Sequence, residues 1–411
     1  MLYQRKIIAF DNNYHFSHRF IILLEIFRKN QIDLEFICDD KSFTKKEENI
    51  KGLLIKNISS YPSNNFLKIL KLEKPDLVIV LNINLLKIRS LNRCCKFLKI
   101  PIIFLDHGVT SVAGKTGAKR FDSNKFLIKR YKRIITGELI KEYFSYIKYL
   151  IYTKTSFKDY LLFLIESIFK LIGKDRFTED WIYSAYCVFL KSDKNKLVSQ
   201  YKDLIDKNKI YIVGNYDLNL FKLIPENINS YNINNKSRNI LYFDSDCINR
   251  TFDGNIQNYI KYILKIRDIL KLNHFNLKIK LHPNSLNNKV KFELSKLFIE
   301  NIEKNNLINV LLKSKYVITE PTSIAAIACL TGIPIITPLI EPFNKKRYGK
   351  MIDEYPNRKY FSSFKDLDNI LKNPIIYSDK IKINNWLDNY AGPLPPSEFP
   401  NRVLKVVKKF I

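Results

Sequence analysis

Histidine is scarce in this chain, with five in 411 residues. Cysteine is hardly commoner: Cys38, Cys94, Cys95, Cys187, Cys247 and Cys329 form no Cys-x-x-Cys pair, and most lie inside apolar runs. That pattern argues against a disulfide framework and predicts free, buried thiols in a reducing compartment. No segment reaches about 18 uninterrupted apolar residues, so no transmembrane helix is expected. The opening "MLYQRKIIAFDNN" holds too short an apolar stretch for a signal peptide. Helix-turn-helix, zinc and RNP signatures are lacking, which speaks against nucleic acid as a partner. No Asp-x-Asp pair stands in a typical metal-binding context, so neither a metal nor a cofactor is expected. The expected location is the cytoplasm, with the inner face of the cytoplasmic membrane as a surface the chain can meet.

Positive charge, by contrast, is plentiful. Lys and Arg number 69 against 40 Asp and Glu, a formal charge of +29. Such an excess favours an anionic partner, whether nucleic acid, an acidic membrane face or a phosphorylated substrate. Overuse of Lys, Ile, Asn, Phe and Leu gives part of that excess a compositional origin. Hydrophobic residues at 46% and charged residues at 27% read as globular. The length leaves room for two domains, each with its own core.

The first half alternates strand and helix patterns. "KIIAF" (6–10), "LEFICDD" (34–40), "PDLVIVLN" (75–82) and "PIIFLDHG" (101–108) read as buried strands, with helices at 19–30 and 91–100. This βαβ alternation predicts a parallel sheet covered on both faces. After a basic loop at 113–120 comes a helical stretch rich in Tyr, Phe and Lys (142–173), and "KIYIVGNYD" (209–217) resumes the alternation. The Asn-rich segment 225–239 has linker composition. Beyond it the pattern restarts, with strands at 240–246, 277–283, 316–320 and 333–339 and helices at 258–272, about 289–303 and 323–332. The expected domains are 1–224, with a helical insertion at 120–200, and 240–398, followed by a closing helix at 399–411. Two Rossmann-like domains of this kind place a ligand cleft between the carboxyl ends of their sheets.

Several polar residues sit where these strands surface. His282 ends "LKIKLHP" (277–283), and Pro283 holds it extended and stops the strand. An imidazole at that mouth can donate to a phosphate oxygen or act as an acid; simply ending a strand is the plainer role. In "TEPTSIAAIACLTG" (319–332) a strand ends at Glu320, and Thr322 and Ser323 open an Ala-rich helix. Its free N–H groups suit a phosphate, though an ordinary N-cap explains one hydroxyl equally well. Ala325, Ala326 and Ala328 let that helix lie close to the sheet, and Gly332 is its expected C-cap. In the first half Asp106, His107 and Gly108 follow a strand, where either of the first two can take a proton from an acceptor hydroxyl. Gly108 permits a sharp exit. Asp244, Ser245 and Asp246 in "YFDSD" (242–246) border the expected cleft and can contact a base or ribose. Glu341 ends another strand, where it can meet a sugar hydroxyl. His15 and His18 follow the first strand, where an acceptor loop would lie, and His274 has no identifiable partner.

Taken together, "KPDLVIVLN" followed by "IPIIFLDHG", "YIVGNYD", "KLHP" and "TEPTSIAAIACLTGIPII" resemble GT-B glycosyltransferases of the bacterial surface-polysaccharide group. That group includes capsule Kdo transferases, sialyl- and polysialyltransferases, and CDP-glycerol glycerophosphotransferases. The resemblance covers roughly residues 70–110 and 209–340. It implies an α/β fold of two Rossmann-like domains facing a cleft. The activity it implies is transfer of a sugar, with CMP as the expected carrier, to a growing capsule or lipopolysaccharide glycan, which can be lipid-linked. It further implies an inverting, metal-independent enzyme. His282 with Pro283, and Thr322 with Ser323, would hold the donor phosphate, alongside Asp244, Ser245 and Glu320. The polar pair Asp106 and His107 would supply the base, with Gly108, His15 and His18 on the acceptor side and Glu138 as a reserve base. Sialyltransferase-like members carry two acidic residues before the glycine and glycerophosphotransferase-like members a His-Gly. Asp106-His107-Gly108 is mixed, which leaves both the base and the donor open.

Two rival classes remain. A non-hydrolysing UDP-sugar 2-epimerase shares the architecture, but that family carries a glycine pair after a serine where this chain has "PTSIAA". A CDP-polyol phosphotransferase is the other. The stretch 142–173 reads either as a core helix pair or as a surface for an anionic membrane; Lys158, Asp159, Glu166 and Lys170 interrupt it and argue against insertion across one.

Overall fold

The computed structural model describes residues 4–83, 85–106, 138–171, 179–201, 204–215, 237–282, 285, 288–303, 306–320, 322, 324–341, 343, 349–373, 380–390, 392–393 and 395–411. They fall into two compact units. One holds the described residues up to 106, 138–215 and 397–411, and the other holds 237–396.

The first unit is built on a sheet of eight strands: β1 (Arg5–Asp11), β2 (Ile32–Cys38), β3 (Glu47–Ile50), β4 (Leu53–Asn57), β5 (Leu77–Val80), β6 (Ile102–Leu105), β7 (Ala185–Val188) and β8 (Ile210–Ile212). Their order is β3-β4-β2-β1-β5-β6-β7-β8. All neighbours run parallel except β3 and β4. "LVIV", "IIFL" and "AYCV" are buried throughout, as central parallel strands covered on both faces must be. The β3–β4 hairpin turns through Lys51 and Gly52, both at positive φ (51° and 90°), the backbone that a two-residue hairpin turn needs. The φ of 90° at Gly52 favours glycine, and a Cβ there would also press on the Arg28 guanidinium at 3.0 Å, the movable end of a side chain.

Residues 120–200 are not purely a helical insertion: they contribute β7 to the sheet. Ahead of β7 stand two helices, Glu138–Tyr152 and Phe157–Leu171, which form a hairpin against the helix Leu86–Phe97. Arg89 and Glu166 join them through paired hydrogen bonds of 2.7 and 2.8 Å, both side chains fully buried. The guanidinium carbon lies 5.0 Å from the Tyr146 ring centre and 5.1 Å from that of Trp181. Glu166, one of the charges that interrupt this stretch in the sequence, is an internal anchor. The helix Phe399–Val407 packs back on this unit. Phe399 stacks edge-on against Phe189 at 6.3 Å, and Arg402 donates to the Val213 carbonyl at 3.3 Å.

The second unit is a six-stranded sheet, all parallel: β9 (Asn239–Phe243), β10 (Asn276–Lys280), β11 (Glu300–Asn301), β12 (Ser314–Thr319), β13 (Ile335–Pro338) and β14 (Arg358–Phe361). The order is β11-β10-β9-β12-β13-β14. The helix expected to run to 303 stops at Lys296, and β11 follows it. The helix Ala325–Leu330 is capped by Thr331, and Gly332, the expected C-cap, follows it with φ 73°, the left-handed conformation that closes a helix. Each unit is therefore Rossmann-like, as the sequence predicts.

All six cysteines are free and buried. Burial pushes the Cys94 and Cys187 thiols up to about 12 and Cys38 up to about 11, which suppresses the reactive thiolate. Among the described residues no helix is long and apolar enough to cross a membrane.

Candidate functional site

In the second unit the chain passes from β9 to β10 on one side and later returns to β12 on the other. Connections that leave a strand in opposite directions open a crevice at the carboxyl edge, where doubly wound sheets bind ligands. The register aligns the three ends: Phe243 lies opposite Lys280 on β10 and Thr319 on β12. The residues that follow each of them converge.

Two buried carboxylates clip these ends together. Asp244 accepts from the Cys247 N–H at 2.9 Å through Oδ1 and from the His282 N–H at 3.1 Å through Oδ2. It thereby fixes the turn after β9 and pins the end of β10 to it. Glu320 does the same toward β12. Its Oε2 accepts from the Ser245 N–H at 3.1 Å and the Ser245 hydroxyl at 2.6 Å, and its Oε1 accepts from the Tyr242 hydroxyl. Ser245 is buried and Glu320 fully so; in this arrangement Glu320 ties β9 to β12 and has no surface to offer a ligand. Asp246 takes a left-handed backbone (φ 68°) and accepts from the Asn249 amide at 2.7 Å. Buried networks of this kind rigidify a site when each member is satisfied.

Ligand atoms of Asp244, Cys247 and Glu320 lie within 4.8 Å of one another, a spacing a cation can use. The set fits a hard cation poorly. The carboxylate oxygens already accept backbone, serine and tyrosine donors, and a hard Mg²⁺ or Ca²⁺ does not favour a thiol ligand. We read the cluster as a hydrogen-bonded clip.

His282 follows β10 and Thr322 follows β12, and both are half-buried. The His282 carbonyl accepts from the Ser285 N–H at 2.9 Å, and the Thr322 carbonyl from the Ala325 N–H at 3.1 Å. The helix starts at Ala325 with Ile324 as its N-cap residue and no side-chain cap, so Thr322 lies in the turn before it. Ser285 Oγ is buried with no hydrogen-bond partner among the described residues. Pro283 and Ser323 lie outside the described residues. Glu341 is exposed and lines a separate cavity of about 490 Å³ with Phe252, Asp253, Lys261, Lys265 and Phe364.

In the first unit Asp106 follows β6, is buried, and donates its N–H to the Cys187 carbonyl at 2.8 Å. His107 and Gly108 lie outside the described residues. His15 and His18 are both exposed; the His15 ring centre is 4.0 Å from that of Tyr14, and His18 Nδ1 contacts the His15 carbonyl. Sequence reasoning passed over Asp11, which ends β1 beside β5, at the reversal point of this sheet. It is buried, and burial pushes its carboxyl pKa up against the opposing N–H of Asn13 at 3.0 Å. The signal was present, since "KIIAFD" ends on an aspartate just as "IIFLD" does.

No protein-family model and no curated protein matches the chain. Solved structures do. The S. aureus MnaA–UDP co-structure aligns with TM-score 0.52 and 14% identity, covering 99% of this chain and 96% of that one. UDP-GlcNAc 2-epimerase from Neisseria meningitidis bound to UDP-GlcNAc gives 0.51 and 14%, covering 98% and 100%. The wall teichoic acid polymerase TagF gives 0.53 and 10%, covering 99% and 89%. At these identities the likeness is one of fold, two Rossmann-like domains of the GT-B type.

Proposed function

We propose that this chain is a GT-B glycosyltransferase that uses a nucleotide-activated sugar, CMP-linked, to extend a bacterial capsule or lipopolysaccharide glycan. The observation that supports the reading is the carboxylate clip at the reversal point of the second sheet, in which Asp244 holds the His282 backbone at the carboxyl edge and Thr322 follows Glu320 two residues on. In the proposed step an acceptor hydroxyl gives its proton to Asp106 or His107 and its oxygen bonds to the anomeric carbon. The bond from that carbon to the donor phosphate breaks, and the electron pair leaves with the phosphate. His282, Thr322 and Ser323 donate to the phosphate oxygens as negative charge develops. The transition state is oxocarbenium-like, as in glycoside cleavage. The reading needs no metal.

A thermal-shift panel of CMP, CDP, UDP and GDP tests the donor. A nucleotide at 100 times its Kd stabilises the native protein by about 2.7 kcal/mol. A rise with CMP supports the reading, and no rise with any of the four removes it.

The fold likeness also favours a second reading, a UDP-sugar 2-epimerase. Against it stand "PTSIAA" at the helix opening and two carboxylates committed to internal hydrogen bonds. A UDP-only shift, with C2 inversion of the sugar in the absence of any acceptor, would decide for the epimerase. Acceptor-dependent release of free nucleotide would decide for transfer.

The base can be assigned by substitution. Either Asp106→Asn or His107→Ala is expected to lower kcat by about 10²–10⁴-fold with nucleotide binding preserved. Full rate in both variants would exclude the pair and turn attention to Glu138.

A further inference from the structure

We infer that the outward face of the helical hairpin Glu138–Tyr152 and Phe157–Leu171 is a docking surface for an anionic lipid bilayer. The inference does not depend on the transferase reading. Of the fourteen exposed large apolar side chains among the described residues, seven belong to this hairpin. Phe157 is 80% exposed, Ile151 66% and Phe144 62%, with Tyr152, Leu161, Leu162 and Leu164 also exposed. Apolar surface concentrated in this way marks an interaction site rather than scattered surface residues.

The inner face is already filled. Arg89 and Glu166 pair there, and the Tyr146 and Phe163 rings stack at 4.4 Å. The exposed side chains therefore have no internal site to return to. A helix apolar on both faces needs a second apolar environment.

Charge selects the occupant. Over residues 141–166, where the hairpin's side chains are described, Lys141, Lys148, Lys154 and Lys158 are exposed and the exposed acid is Glu142. Asp159 is half-buried, 3.6 Å from Arg93, and Glu166 is internal. Lysines around Phe, Tyr and Leu match the boundary between anionic headgroups and acyl chains. A second copy of the chain would bring the same cationic face, on a protein of formal charge +29, and like charges disfavour that pairing. The described part of each helix has 15 residues, about 22 Å in length and short of the roughly 30 Å hydrocarbon core, and charged residues interrupt both. The hairpin thus lies on the membrane and does not span it.

The test is flotation of the full chain with vesicles of neutral phosphatidylcholine, or of phosphatidylcholine with phosphatidylserine, at low and high salt. Expected is binding to the anionic vesicles that falls at least tenfold in high salt or on neutral lipid. Two variants divide the surface: Lys141→Gln with Lys148→Gln, Lys154→Gln and Lys158→Gln, and Ile151→Ser with Phe157→Ser. Each lysine near an anionic surface is worth about fivefold, so the first variant, which removes four, should bind on the order of 10³-fold more weakly. The second should lose binding at both salt levels. All substituted residues are exposed, and unchanged melting would confirm intact folding. Binding that ignores lipid charge, or survives both variants, overturns the proposal. So does light scattering that shows the wild type as a dimer dissolved by the Ile151 and Phe157 changes, since the face would then belong to a second copy.

Discussion

Replacing His282 by alanine is expected to lower kcat/KM for sugar transfer by about 10²–10⁴-fold, the usual contribution of a positioned acid or donor. That loss corresponds to roughly 2.7–5.5 kcal/mol of transition-state stabilisation. The fold should persist, because the clip uses the backbone of His282: its N–H donates to Asp244 and its carbonyl accepts from Ser285. Alanine keeps both. The imidazole itself is half-buried, so its removal leaves no large internal void. Near-wild-type turnover in a variant that melts normally would remove His282 from the mechanism. A large drop in melting temperature would instead assign the side chain to the architecture of the loop.

Glu166→Ala is expected to cost the first unit about 3–5 kcal/mol, the range for removing one partner of a buried ion pair. The reason is what remains. Arg89 would keep its charge among Tyr146, Phe163 and Trp181 with its bidentate acceptor gone and Asp180 left at 3.6 Å. A joint change of Arg89→Met and Glu166→Leu should cost far less, since no charge is stranded. Urea unfolding can read this unit separately. Trp181 donates to Glu166 at 3.3 Å, and the chain's other tryptophan, Trp386, belongs to the second unit, so a Trp386→Phe background isolates the signal. A shift below about 1 kcal/mol, or equal costs for the single and double changes, would mean that water reaches the pair.

Much of this architecture is legible in sequence because parallel strands buried on both faces are written as short apolar runs. "LVIV", "IIFL" and "ILYF" need no tertiary knowledge to be recognised. The same applies to polar residues that end such runs, hence the early notice of Asp106, Asp244, His282 and Glu320. What those residues do was not legible. Glu320 meets Ser245 across 75 positions and Arg89 meets Glu166 across 77, and both pairings depend on which strands and helices become neighbours. β7 escaped notice because "AYCV" is short and flanked by helices, and β3 because its residues alternate between exposed and half-buried. Asp11 carried the same strand-end signal as Asp106 and was passed over.

The return of Phe399–Val407 to the first unit has a consequence for biosynthesis. The residues that close this unit's core, Phe399, Val403, Leu404, Val406 and Val407, are translated after the whole of the second unit. At about 5–20 residues per second, the intervening stretch of about 180 residues delays them by roughly 10–40 s. Through that interval the nascent first unit presents the apolar seam that Phe189 later shares with Phe399. The described residues of the second unit all lie within 237–396, so that unit can fold within the same interval. A chaperone that shields apolar surface on the ribosome would thus act on the half of the protein made first.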